Sequence, residues 1–202
     1  IAEGKHLCGD LISNAIQMAM AVSEINAAMG KIVATPTAGS CGILPGALGS
    51  LLKTRGVPRE EAVLSLFTAG AIGMVVANKA SIAGASGGCQ AECGTASAMA
   101  AACIVELLGG TPEMAAHAVA IAIKCILGLV CDPVAGLVEI PCIKRNASGV
   151  TLAFTAAELA LAGIKSAIPV DETIESLKRV GDGLPAALRE TAQGGLAITP
   201  TG

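Results

Sequence analysis

The residues best suited to chemistry in this chain are cysteines set beside acidic and basic groups in two glycine- and proline-broken stretches. They are SGGCQAECG at residues 86–94 and CDPVAGLVEIPCIKRN at residues 131–146. Helix interiors seldom hold such clusters, because Gly and Pro there cost roughly 1 and 3 kcal/mol against Ala. Both stretches therefore read as loops, and loops held on a rigid scaffold are where chemistry tends to sit. Cys89, Cys93, Cys131 and Cys142 belong to them, and Cys41 lies in a third such segment, TPTAGSCGILPG at residues 35–46. Five thiols are too many for one tetrahedral metal. Zinc favours close Cys-x2-Cys pairs, which this sequence lacks, whereas an iron–sulfur cluster accepts ligands from distant loops. Spacing alone leaves zinc, a cluster and no metal at all open.

The elements that must position these loops are helical. Hydrophobic residues make up 53% of the 202, yet there are two Phe and no Trp or Tyr, so the core must be built from Ala, Val, Ile, Leu and Met. Apolar residues recur at helical spacing over residues 10–29, with Gly30 placed to cap the end. A helix is expected from about Pro45 to Arg55, closed by Gly56, and another from Pro58 to about Asn78, with Glu60 and Glu61 complementing its dipole. Thr95 can cap a helix to Leu108, and Thr111-Pro112 starts one reaching about Leu127. Ser148 or Thr151 opens a helix to about Ile164, residues 171–180 form a shorter charged one, and residues 184–191 a last. No strand alternation is present. The fold class is all-α, a compact bundle of about six to eight helices with Gly/Pro-rich cysteine loops converging on one site. Cys8, Cys103 and Cys125 fall within helical patterns and are expected in the core as small hydrophobes.

Composition also excludes some functions. A formal net charge of −3 without a basic stripe gives no reason to expect nucleic acid. The best candidate for a membrane span, residues 62–78, is bounded by Glu60, Glu61 and Lys79, and aromatic belt residues are lacking. The long apolar runs therefore read as buried core, with no membrane. A chain of this size has no need of disulfide staples, so reduced cysteines and a cytoplasmic setting are expected. Ile1 is not an initiating Met, and residues 1–202 read as one domain truncated at its N-terminus.

The three cysteine segments at 35–46, 87–94 and 131–146 resemble those of the iron–sulfur-dependent L-serine dehydratases, specifically their alpha chain or catalytic domain, and the likeness covers nearly the whole chain. The resemblance implies a lyase that converts L-serine to pyruvate and ammonia with a 4Fe-4S cluster and no pyridoxal phosphate. It implies three ligands, Cys89, Cys131 and Cys142, leaving one iron open as a Lewis acid for the departing hydroxyl. Cys93 and Cys41 receive no ligand role. The family also implies a partner beta chain or domain, and an oligomer is expected. A related cluster enzyme such as a cysteine desulfidase, or a non-catalytic metal-binding subunit, are the alternatives.

Within that resemblance the remaining residues acquire candidate roles. Thr37, Gly39 and Ser40, in a segment leading into a helix, can give N–H groups and hydroxyls to the substrate carboxylate, or form a plain turn. Arg145 can pair with the same carboxylate, and Lys144 beside it can do so too, or both are solvated charges. Glu92 and Asp132 adjoin implied ligands and can orient the site or accept a proton. Glu92, Asp132 and Lys144 are therefore the candidates for the unassigned base. His117 reads as a core residue and His6 lies near the chain start.

Overall fold

Alanine and glycine set the spacing of this fold. The structure is a computed structural model that describes residues 4–202. Its α-helices in chain order are α1 (Gly9–Ala27), α2 (Ile43–Arg55), α3 (Arg59–Lys79), α4 (Gly84–Gly87), α5 (Thr95–Leu107), α6 (Pro112–Lys124), α7 (Cys142–Leu161) and α8 (Val170–Gly183), with no strand among the described residues. At the centre is α5, TASAMAAACIVEL, whose residues from Thr95 to Val105 are all buried. A helix apolar or small on every side belongs in the middle of a bundle, and α2, α3, α6 and α7 surround this one. Small side chains let the axes approach closely. At Gly42, just ahead of α2, an added Cβ would run into the Ala19 carbonyl oxygen of α1 and come 2.8 Å from Ser23 Oγ.

The helix ends show which local signals prevail. Thr111 caps α6 as expected, its Oγ1 accepting from Met114 N at 3.2 Å with Pro112 in the first turn. Gly56 ends α2 in the left-handed conformation (φ 63). At the end of α1 the left-handed residue is Met29 (φ 61), and Gly30 follows it. Met29 N bonds Asn26 O at 3.0 Å and Gly30 N bonds Ile25 O at 2.8 Å, the paired bonds of a Schellman ending. Gly30 thus lies one position beyond the expected cap.

Four expectations are corrected. The stretch at 86–94 is largely helical: α4 is closed by Gly88 (φ 75), and after it a π-helical turn at Gln90–Gly94 runs straight into α5. Thr95 is buried inside this continuous element and caps nothing. α7 begins at Cys142, directly after Pro141, and Ser148 and Thr151 lie within it. The expected helix at 184–191 is a single 3-10 turn, Ala186–Leu188, after which Arg189 pairs with Cys131 in an isolated parallel bridge.

α3 is long and apolar enough to cross a membrane by length and composition. One face packs on α5, while Val63, Leu64, Leu66, Phe67, Met74 and Val75 stay exposed on the other.

Candidate active site

Cys89 sits just ahead of the π-helical turn. π-bulges recur at functional sites because the extra residue re-aims side chains, and here the turn carries Glu92 to a position beside both Cys89 and Cys131. The Cys89 and Cys131 sulfurs and a Glu92 carboxylate oxygen all lie within 4.8 Å of one another, a grouping that can hold a metal ion. Gln90 anchors the turn: its backbone N bonds Leu129 O at 2.9 Å, its Nε2 bonds Leu177 O at 3.0 Å, and its Oε1 accepts from Gly128 N at 2.9 Å. Gly84 leaves room for the group, since a Cβ there would stand 2.9 Å from both Cys131 Sγ and Glu92 Oε2.

The Cys131 backbone is fixed by the C-terminal segment. Cys131 N donates to Leu188 O at 2.8 Å, and Glu190 N donates to Cys131 O at 2.7 Å. Asp132 next to it is buried, 2.8 Å from Arg145 Nη2, and its Oδ2 accepts from Leu196 N at 2.8 Å. Arg145 Nη1 also donates to Val130 O at 3.0 Å. This buried pair therefore staples the 131–132 backbone to α7 and to the chain's last turn.

A cavity of about 250 Å³ opens beside these groups, lined by Thr37, Ala38, Gly39, Glu92, Cys131, Pro133, Val138, Cys142 and Glu190. Cys131 and Cys142 line this cavity, and Cys89 is grouped with Cys131 and Glu92 beside it. Of the residues expected near a substrate, Thr37 and Gly39 line the cavity. Ser40 is fully buried behind it, its hydroxyl 3.2 Å from Thr37 Oγ1 and bonding Thr35 O at 3.4 Å. Arg145 is engaged by Asp132 and does not line the cavity, which leaves it a positioning group rather than a carboxylate clamp. Lys144 is exposed on α7 and also outside the cavity lining, because successive helical residues point in different directions. Among the three candidate bases only Glu92 faces the cavity.

Two contributors escape sequence reasoning. Asn146 is buried one turn after Cys142. Its Oδ1 accepts from Gly42 N at 2.9 Å, and its Nδ2 donates to Gly39 O at 2.8 Å and Cys142 O at 3.0 Å. It ties the 37–42 segment to the start of α7. An Asn at i+4 from Cys142 would have signalled this had the helix start been placed at Cys142. Glu190 reaches the cavity only through the pairing of Arg189 with Cys131, for which the sequence carries no local signal.

Charge is concentrated on one sulfur. The Cys131 and Cys93 thiols hydrogen-bond to Cys89 and, with Arg145 nearby, hold it well below the usual thiol range despite burial. Donating to that thiolate, together with burial, raises Cys131 and Cys93. Burial and then the Cys89 charge push Cys142 up to about 12. Glu92 is pushed up to about 7 by burial first and the Cys89 charge second, against the Thr37 hydroxyl, which donates to Oε1 at 2.9 Å. Protons crowded among buried thiols are what a bound cation displaces.

The other cysteines and the histidines separate from this site. Cys103 is buried and its thiol donates to Ser65 O at 2.8 Å. Cys8 and Cys125 were expected in the core but are exposed, because each falls at a helix end, where the next turn no longer covers it. Cys41 is buried and raised by that burial. His117 Nδ1 accepts from Ser166 N at 3.3 Å, a structural role, and His6 stands 3.1 Å from Asp10.

Comparison with known proteins adds to this geometry. Residues 2–197 match the family model described as serine dehydratase alpha chain. The chain is 60% identical over 202 residues to the probable L-serine dehydratase alpha chain of Bacillus subtilis, spanning all of this chain and 67% of that one. It is 56% identical over 193 residues to the probable alpha chain of Latilactobacillus sakei, 96% of this chain and 92% of that one. Against the L-serine dehydratase of Streptomyces coelicolor it is 45% identical over 182 residues, 89% of this chain but 40% of the longer protein. With its cysteine-lined cavity and a match along nearly its whole length, the chain belongs to the serine dehydratase alpha chain family.

Proposed function

We propose that this chain is the catalytic chain of an L-serine dehydratase, a lyase that removes water from L-serine to give pyruvate and ammonia. The observation that carries the reading is the gathering of Cys89, Glu92 and Cys131 within 4.8 Å of one another beside a small cavity that Glu92, Cys131 and Cys142 line, in a chain of this family. Three soft sulfur donors suit a 4Fe-4S cluster, and the thiolate character of Cys89 amid raised neighbours suits replacement of thiol protons by metal. When bound, such a cluster supplies a Lewis-acid iron that helps the β-hydroxyl depart.

The protein's own residues do the rest. Glu92 Oε1 accepts from Thr37 at 2.9 Å and Oε2 stands 4.0 Å from Cys89 Sγ, and this Oε2 receives the α-proton as base. Loss of that proton and of hydroxide leaves 2-aminoacrylate, which tautomerises and takes up one water to release pyruvate and ammonia. Thr37 and Gly39 form the wall that positions the substrate carboxylate, and Asn146 fixes that wall to the start of α7. A beta chain completes the enzyme, as the alpha-chain names of the relatives suggest. The setting is cytoplasmic, which the eight free cysteines support. The exposed apolar face of α3 supports an oligomer, since such faces mark interaction surfaces.

The test is anaerobic loading with iron and sulfide, followed by iron counting and a pyruvate assay in the presence of a beta chain. L-Serine should yield pyruvate, and each of C89S, C131S and C142S should lose iron and activity together. No pyruvate from the iron-loaded complex, or sulfide from L-cysteine as the dominant product, would overturn the assignment.

A further inference from the structure

One carboxylate in the cavity has no part in that reaction. Glu190 lines it together with Glu92, Thr37 and Gly39. Its position is built by the backbone: Glu190 N bonds Cys131 O at 2.7 Å, and Cys131 N bonds Leu188 O at 2.8 Å. Leu196 N, bonded to Asp132, holds the same segment further along. Glu190 adopts φ 63 and Ala192 φ 55, left-handed conformations that residues with a Cβ hold only where the surroundings dictate them. The carboxylate of Glu190 forms no ion pair among the described residues.

An amino-acid substrate brings three polar groups into such a cavity. The hydroxyl and the α-proton are served above, and the Thr37–Gly39 wall faces the carboxylate. The α-ammonium group needs an anion, and Glu92 cannot serve it while acting as base. We propose that the Glu190 carboxylate binds the α-ammonium group of the substrate and makes the site select amino acids over the matching acids that lack it. This rests on the serine dehydratase reading. The ammonium and carboxylate form a charge-assisted hydrogen bond, stronger than a neutral one, even though Glu190 is exposed at the cavity rim.

The experiment uses the iron-loaded alpha and beta chains, with the variants Glu190→Gln and Glu190→Asp. L-Serine turnover gives KM and kcat, and inhibition by 3-hydroxypropionate, which is serine without its ammonium group, gives a binding constant. Loss of a charge-assisted bond should raise the KM of the Gln variant about tenfold or more, with kcat little changed. Its inhibition constant for 3-hydroxypropionate should stay the same or fall. The Asp variant, which keeps the charge, should retain most of the preference, and Glu190→Ala takes the place of the Gln variant in both measurements if the latter fails to load iron. An unchanged KM in the variant that lacks the charge, or equal weakening of L-serine and 3-hydroxypropionate there, overturns the role of Glu190 while leaving the dehydratase reading intact. Absence of pyruvate from the wild-type complex overturns that reading and this one with it.

Discussion

Replacing Asn146 with Ala should both destabilise the fold and loosen the cavity, because one buried side chain holds three backbone groups. Deletion leaves Gly42 N–H buried without its 2.9 Å partner, a loss worth about 1–3 kcal/mol. The bonds to Gly39 O at 2.8 Å and Cys142 O at 3.0 Å also go, at about 1 kcal/mol each. The sum is about 3–5 kcal/mol, or roughly 6–20 °C in Tm for a chain of this size. Asn146→Asp sharpens the test. It keeps an oxygen toward Gly42 N but puts a second oxygen where Nδ2 faced two carbonyl oxygens, so it should be no more stable than the Ala variant although it is nearly isosteric. Urea unfolding of the metal-free protein gives the stability, and KM for L-serine of the loaded enzyme reports the 37–42 wall, which should bind substrate more weakly. An Asp variant as stable as wild type, or an Ala variant within about 0.5 kcal/mol of it, a surface-like cost, would show that the three bonds do not hold this junction.

Two further outcomes follow from particular contacts. In native metal-free protein, a neutral alkylating reagent at pH 8 should modify Cys8 and Cys125 quickly and Cys103 hardly at all. The first two are exposed, and burial both covers the Cys103 thiol and pushes it up to about 11; mass mapping of fast labelling at Cys103 would contradict the packing of α5 on α3. Gly84→Ala should impair iron loading, because its Cβ would press on Cys131 Sγ and Glu92 Oε2 at 2.9 Å, whereas Gly70→Ala, with nothing within 4 Å, should leave loading intact and stabilise α3 by about 0.5–1 kcal/mol. Equal iron content in the two variants would argue against the crowding at Gly84.

The helical class and most helix cores were legible because apolar periodicity is local, and the cap of α6 was legible because Thr-Pro at a helix start acts within one turn. Boundaries failed where a neighbouring residue took the special conformation, as Met29 did in place of Gly30. The first cysteine segment failed for a different reason. Of its glycines Gly88 does break the helix (φ 75), but Gly87, like Gly84 just ahead of the segment, lies inside α4, where the two allow close approach to Cys131, Glu92 and Ala91. Glycine that a tertiary contact demands looks the same in sequence as glycine that ends a helix.

The candidate site divides along the same line. Cysteine types and the Thr37 segment could be read from the sequence because soft donors and turn residues announce their chemistry. Whether a nearby charge serves the cavity depended on helix phase. Once α7 is known to start at Cys142, Lys144 and Arg145 must point in different directions, one to solvent and the other to Asp132. Glu190 depended on something more remote still, two backbone hydrogen bonds between Cys131 and the 188–190 segment. Such pairing is indifferent to side-chain identity, so no residue type in either segment encodes it. A cavity walled partly by a π-helical turn and a helix start and partly by a segment held through backbone pairing is therefore half readable in advance, and the half that stays hidden is where its last carboxylate comes from.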